Sequence, residues 1–377
     1  MGSATTNLNS LIMKGRPEMT KHIAIIGGGY LGFRLAKAME KKANVTLIEP
    51  RSHFVHSIAM ARAVVEPSIF EDSLIPYDKL LKKGTWVQAR AASVDDCGVT
   101  LEDGRRVDAD YIVVATGSDN ATPFKAKGAD IEGFRAAHDA THAKLKAAKS
   151  VAIVGAGAVG TELAGEIAHF MPEKQVTLVT DEQSLFPMKP AKMGQMLGQQ
   201  LQSAGVKLLT GQRVENLKSL TEPYAGTLKL ANGDENAADL IFPTIGSRAV
   251  SDLLQGLPGY AASSLGRAKV DQYLRPSEYA NVFAAGDVAD AGEGMTVVAT
   301  YSLVPWLTKT LTALIDGNSI ETLKPYKPAA DAPLLIPLGP KNGNTYLGKM
   351  VLGGFMTSLM KGKSLFITRN RKQFGLG

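Results

Sequence analysis

The chain has 377 residues, 45% of them hydrophobic and 21% charged, with a formal net charge of +6. That length admits two or three globular domains, and the lone cysteine, Cys97, excludes an internal disulfide, a CxxC redox pair and a cysteine-rich metal site. No apolar run reaches the ~18 residues needed to cross a bilayer. There is no secretory apolar core, and the histidines show no HExxH-type spacing, so no metal is expected.

Met1-Gly2-Ser3-Ala4-Thr5-Thr6 fits the loose myristoylation pattern M-G-x-x-x-[ST]. Residues 1–19 also read as a leader or flexible extension, with Met19 standing just before the first strand. His22–Ile26 is a short apolar run suited to a buried parallel strand. Gly27, Gly29 and Gly32 then form G-x-G-x-x-G, Phe33–Lys42 reads as a helix, and Val45–Ile48 is a second strand closed by Glu49. In such a unit the first glycine makes the turn, the second admits a pyrophosphate and the third lets helix and strand approach. An acid about 20 residues on can hold a ribose hydroxyl.

The same unit recurs. Ser150–Val154 is a strand, Gly155, Gly157 and Gly160 form the second fingerprint, Thr161–Phe170 is helical, and Val176–Val179 is the next strand. At the place of Glu49 stands Thr180, followed by Asp181, which favours NADH over NADPH; Lys189 and Lys192 are loop lysines that would have to reach any 2′-phosphate. Two fingerprints imply two dinucleotides held near each other, as hydride transfer requires. Strands at Tyr111–Val114, Leu240–Thr244 and Asn281–Ala285 lead into Ala115-Thr116-Gly117, Ile245-Gly246 and Gly286-Asp287. The expected class is therefore α/β: two Rossmann-like dinucleotide-binding domains plus a small C-terminal domain. The boundaries are 20–120 with 250–322 for the first, 121–249 for the second and 323–377 for the C-terminal domain.

In their order along the chain, G-x-G-x-x-G, Ala115-Thr116-Gly117, G-x-G-x-x-G-x-E and Gly286-Asp287 resemble the FAD/NAD(P) two-dinucleotide-binding-domain reductases over about residues 21–320. The chain is similar, within that group, to the apoptosis-inducing-factor-like branch called ferroptosis suppressor proteins, which are NAD(P)H:quinone oxidoreductases. Phe54-Val55-His56-Ser57 with Arg62 and Glu66, Pro172–Leu178, Tyr326-Lys327-Pro328, Leu338-Gly339, Asn342-Gly343, Lys361 and Leu365-Phe366 carry that resemblance. It implies FAD on the first fingerprint, with Asp287 on the ribityl chain and Ala115-Thr116-Gly117 closing on it.

The resemblance further implies roles. Glu162 would lie near nicotinamide and flavin, with Glu166 one turn later on the same face. His56 would sit near the flavin ring or protonate a reduced quinone, although the paired histidines of the family pattern are here Val55-His56. Lys361 and Phe366 would line the nicotinamide or quinone mouth. Read without the resemblance, Glu162 is a carboxylate favoured by a helix dipole, Lys361 a surface charge and Phe366 a packing residue. Pro305 predicts a kink in the helix expected beside the flavin.

From Lys341 to Gly377 there are seven Lys or Arg and no Asp or Glu, and Val351–Leu365 mixes apolar residues with Gly, Ser, Thr and Lys. Such a basic segment can contact a membrane surface where a quinone resides, so the expected location is the cytoplasm, peripheral to a membrane if this segment docks. No nucleic acid is expected as a partner, and the oligomeric state is monomer or homodimer. Two other readings use the same fingerprints: reduction of a protein acceptor of ferredoxin or rubredoxin type, and slow-turnover redox signalling. Sulfide:quinone and disulfide reductase readings fail on the cysteine count.

Overall fold

The computed structural model describes residues 21–121, 123–263, 265–329 and 331–376, so the N-terminal leader or myristoylation reading lies outside the described residues. Eight α-helices are described: α1 (Tyr30–Met39), α2 (Met60–Ala63), α3 (Ile131–Ala147), α4 (Ala158–Phe170), α5 (Ala191–Ser203), α6 (Thr300–Ile315), α7 (Gly354–Thr357) and α8 (Ile367–Gln373). The apolar run His22–Ile26 sits at the centre of a five-stranded parallel sheet, in the order Val282–Ala284, Tyr111–Val114, His22–Ile26, Asn44–Ile48, Thr85–Val87. A central strand covered on both faces has no wet side, so it is apolar throughout; Ile23, Ala24 and Ile25 are fully buried.

The second sheet repeats the pattern in the order Lys207–Leu209, Gln175–Val179, Ser150–Val154, Glu235–Pro243, Tyr224–Lys229. Its last pair is an antiparallel hairpin, which extends the strand expected at Leu240–Thr244 back to Glu235. Register makes the repeat explicit: Ile26 pairs with Ile48 as Val154 pairs with Val179. Strand Val282–Ala284 returns to the first sheet after the second is complete.

Both fingerprint helices begin earlier than their sequence pattern predicts. Gly29 and Gly157 are the N-cap residues, so α1 starts at Tyr30 and α4 at Ala158, and the third glycine of each fingerprint lies inside the first turn. A glycine is a poor helix former, which hides these first turns from a propensity reading. Helix α6 runs on through Pro305 to Ile315 as one element.

The C-terminal unit is an antiparallel sheet of Leu334–Leu338, Asn342–Leu347 and Met350–Leu352, followed by α7, a π-helical turn at Ser358–Gly362 and α8. Its hairpin lies on α4 so closely that a Cβ at Gly165 would fall 2.6 Å from Leu338. The other end packs on the first unit, where the fully buried Phe374 ring meets Phe33 (4.8 Å between centroids) and Phe54 (5.2 Å). Among the described residues, no helix is long and apolar enough to cross a membrane.

Candidate functional site

The two glycine turns are built alike. Gly27 and Gly155 adopt φ of +100° and +107°, which favours glycine; a Cβ would fall 2.4 Å from the Ala115 carbonyl oxygen and 2.6 Å from Ile245 respectively. At Gly32 and Gly160 a Cβ would fall 1.8 and 2.0 Å from the carbonyl oxygens of Gly27 and Gly155. By contrast, nothing lies within 4 Å of a Cβ at Gly29 or Gly157. The middle glycine of each turn therefore faces open space at a helix N-terminus, where free N–H groups and the helix dipole attract phosphate.

Both turns open into one cavity of about 1130 Å³. On the first unit's side it is lined by Gly27, Gly29, Glu49, Ala115, Thr116, Gly117, Gly286 and Asp287. Gly157, Glu162 and Gly246 line it from the second unit, and Lys361 and Phe366 from the C-terminal unit. Gly32, Gly155 and Gly160 are not part of the lining, because their role is close packing behind it.

Glu49 is buried at the end of its strand. Its Oε2 accepts from Gly28 N (2.7 Å), and its Oε1 from Arg51 N (2.9 Å) and Arg51 Nε (2.8 Å). Burial opposes ionisation, but the Arg51 guanidinium and these donors outweigh it and hold the carboxyl below its usual range. Asp287 Oδ2 accepts from Ser118 Oγ at 2.6 Å and lies 3.6 Å from Lys125 Nζ. Burial pulls the Lys125 ammonium down against the field of Asp287. Arg51 and Lys125 both line the cavity; no fingerprint flags them, since neither occupies a patterned position.

A buried polar cluster stands on α4. Glu162 and Glu166, one turn apart, each take a cation from a different part of the chain. Lys361 Nζ, on the π-helical turn, meets Glu162 Oε1 at 2.5 Å and the Leu335 carbonyl oxygen at 3.2 Å. Arg62, on α2, donates Nε to Glu166 Oε2 (2.9 Å) and Nη2 to Glu166 Oε1 (2.8 Å), while its Nη1 donates to the Gly362 carbonyl oxygen (2.5 Å). All four side chains are buried. Burial pushes both carboxyls above their ordinary range, and the neighbouring cations offset only part of that.

His56 is fully buried and outside the cavity lining. Its Nε2 donates to the Leu365 carbonyl oxygen at 2.6 Å, which leaves Nδ1 to accept from the Tyr30 hydroxyl at 2.8 Å. Burial, with Lys361 and Arg34 adding to it, pulls the ring down to about 4 despite the carbonyl contact, so His56 is neutral near pH 7. Tyr30 lines the cavity, and His56 holds its hydroxyl from behind. Phe366 follows Leu365 with both residues in the left-handed region (φ +61° and +47°), a strained pair that turns the chain from the π-helical turn into α8.

Asp181 is exposed and also outside the cavity lining. Thr180 stands at the register position of Glu49. Lys189 is not a solvated loop lysine: its Nζ donates to the Ala332 carbonyl oxygen (2.7 Å) and pairs with Asp331 (3.2 Å), tying the second unit to the C-terminal one. Lys192 is exposed. The single cysteine, Cys97, is exposed.

Two open glycine cradles, a buried acid at the end of the first unit's second strand and a cavity spanning both units fit a flavin dinucleotide on the first unit and a nicotinamide dinucleotide on the second. The pyridine nucleotide-disulphide oxidoreductase family matches residues 75–302. Apoptosis-inducing factor homolog B of Dictyostelium discoideum is 34% identical, over 93% of this chain and 95% of its own. Ferroptosis suppressor protein 1 of Xenopus tropicalis is 27% identical over 95% and 97%. The sulfide:quinone oxidoreductase of Aquifex aeolicus superposes with a TM-score of 0.72 at 16% identity, covering 94% of this chain and 92% of that one. The chain belongs to the pyridine nucleotide-disulphide oxidoreductase family and is an FAD-dependent, NAD(P)H-using flavoprotein oxidoreductase of the two-dinucleotide-domain architecture.

Proposed function

We propose that this flavoprotein oxidoreductase passes the electrons of NADH to a quinone. When bound, FAD supplies the two-electron carrier between nicotinamide and acceptor. The observation that carries the reading is the buried Glu162–Lys361 pair on the wall of a cavity shared by both glycine cradles. Reducing a quinone to a hydroquinone takes two electrons and two protons. NADH brings a hydride, and the second proton must reach an oxygen that is becoming anionic. Lys361 Nζ is the donor we assign to that oxygen, and Glu162 Oε1 returns a proton to it; a carboxyl raised by burial is suited to the exchange. Phe366 offers an aromatic face to the acceptor ring. Cys97, alone and exposed, leaves the chain without the thiol pair that sulfide or disulfide chemistry needs. The quinone branch of the resemblance and the named acceptor of the Aquifex protein both support the assignment.

The acceptor would be drawn from a membrane surface. Large apolar side chains of the C-terminal unit stand in solvent: Phe355 is 80% exposed, Leu359 63% and Met350 58%, with Lys349 and Lys363 exposed among them. Leu359 is two residues from Lys361, so this apolar segment leads to the cavity wall.

The test is anaerobic. NADH should bleach the flavin of the purified holoenzyme, and a soluble ubiquinone analogue should restore its absorbance within the turnover time. NADPH should bleach it at least tenfold more slowly, because Asp181 and Glu182 follow Thr180 where a 2′-phosphate would approach. Flavin that stays reduced after quinone is added would reject the quinone reading in favour of a protein acceptor.

A further inference from the structure

One rim of the cavity carries a charge arrangement that the quinone reading leaves unexplained. Arg34 of α1, Tyr301 of α6 and Arg369 of α8 converge there, and all three line the cavity. The Arg34 Cζ lies 4.8 Å from the centroid of the Tyr301 ring, and the Arg369 Cζ lies 5.9 Å from the same centroid. Arg34 Nη1 is further fixed by donation to Thr300 Oγ1 at 2.6 Å. Tyr301 is half exposed and Arg369 exposed, so the group faces solvent at the opening rather than the interior.

Two cations set against one aromatic ring repel each other, and the ring quadrupole offsets only part of that. Other arginines of the cavity lining are neutralised: Arg51 by Glu49 and Arg90 by Glu102. Among the described residues, neither Arg34 nor Arg369 is paired with a carboxylate. Uncompensated guanidinium pairs at a cavity mouth attract an anion, and the planar fork of arginine matches a carboxylate or another oxyanion.

The rim is also connected to the chemistry. Phe366, Arg369 and Asn370 lie at i, i+3 and i+4 along the start of α8 and all line the cavity. A flat ring entering past Tyr301 would therefore pass from the guanidinium pair to Phe366 and Lys361.

We propose that Arg34, Tyr301 and Arg369 form a recognition subsite for an acidic acceptor, so that the substrate class is a quinone bearing a carboxylate, sulfonate or ionised ring hydroxyl. This inference rests on the quinone reading above and names the class of quinone. The guanidinium pair holds the acidic group, Tyr301 and Phe366 hold the ring, and a neutral quinone of the same nucleus loses the first of these contacts.

A matched pair of acceptors tests it: a 1,4-naphthoquinone carrying a carboxylate, and its methyl ester. The quantity to read is the ratio of kcat/KM for acid over ester, in lipid-free holoenzyme reduced by NADH. The ratio should fall at least tenfold in Arg34→Gln/Arg369→Gln, mainly through KM of the acid, and raised salt should lower it in the wild type far more than in the double variant. Arg369→Gln alone removes an exposed side chain and should give part of the fall, which guards against a variant that misfolds. Equilibrium dialysis of redox-inert 2-naphthoate against the oxidised holoenzyme gives a readout independent of turnover, with binding weakened in the double variant. An acid-to-ester ratio and naphthoate binding equal in wild type and double variant would overturn the proposal. Loss of anionic-vesicle binding with an unchanged ratio would overturn it too, making the arginines a lipid-headgroup contact. If neither quinone reoxidises the flavin while naphthoate binding still depends on the two arginines, the anion subsite stands and the quinone reading falls.

Discussion

His56 ties two distant stretches of backbone together as a neutral ring, and acid should loosen that tie. In the unfolded chain its imidazole takes up a proton near 6.5, whereas in the folded protein it does so only near 4. The unfolded state thus binds more protons between those values. The contribution of the neutral ring is fully present above about pH 6.5 and is lost as pH falls toward 4, to a total of about 3 kcal/mol. His22, His53 and His138 are lowered by burial in the same direction, so the His56 share must be read as a difference. Between pH 7 and pH 4.5 the wild type should lose on the order of 2 kcal/mol more stability than His56→Asn, measured by urea unfolding. Equal losses would show that the ring titrates normally. The residues of this site differ in how visible they were beforehand. The glycines and Glu49 act through neighbours a few residues away or at a fixed spacing, so the sequence exposes them. Arg62 and Glu166 meet across 104 positions, and Arg34, Arg51, Lys125 and Tyr301 occupy no repeating position, so nothing local distinguishes them from surface charges or packing residues.

At the scale of the element, α4 is the meeting point of the molecule. Its first turn faces the second cradle, its middle carries the two buried carboxylates, and Gly165 admits the C-terminal hairpin. Arg62 bonds both Glu166 and the carbonyl of Gly362, next to Lys361; it holds the π-helical turn in place and thereby positions the lysine. Truncating one member of a buried pair leaves an uncompensated charge, so Arg62→Met should cost about 3–5 kcal/mol, whereas Arg62→Met/Glu166→Leu should recover most of that loss. Thermal or urea unfolding of the single and double variants measures the cycle, and additive losses would mean that the pair is not coupled. The double variant should still turn over poorly, because stability without the Gly362 contact does not place Lys361. The periodic patterns located the central strands of both sheets to within a residue, but the strand expected at Leu240–Thr244 begins five residues earlier, at Glu235, and Thr85–Val87, Lys207–Leu209 and Tyr224–Lys229 carried no such pattern. They missed the first turns of α1 and α4, where glycine and close packing replace propensity, and they could not foresee the π-helical turn, which tertiary contacts impose on a glycine-rich stretch.

For the whole molecule, the repeat of strand, turn, helix and strand was legible because each copy is self-contained in sequence and the two agree in register. How the units face each other was not, because it rests on contacts between residues far apart in sequence, Arg62 with Glu166 and the C-terminal unit with both. That unit also carries the exposed Phe355 and Leu359. Replacing both with serine should reduce the fraction of protein that floats with anionic vesicles at least tenfold, since burying each apolar side chain contributes about 1.5–3 kcal/mol. Equal flotation of variant and wild type would remove the membrane contact from the proposal.

The aromatic contact between Phe374 and the rings of Phe33 and Phe54 has a consequence in time. Some 320 positions separate Phe54 from Phe374. At about 5–20 residues per second a ribosome makes that stretch in roughly 15–65 s. For about the first 230 of those positions the first unit lacks its returning strand, Val282–Ala284, and to the end of the interval it lacks the ring that closes its aromatic cluster. The second unit, whose five strands are contiguous between Ser150 and Pro243, can close first. Nascent chains should therefore acquire protease resistance in the middle before the beginning, and the newly made first unit is the part a chaperone would find exposed.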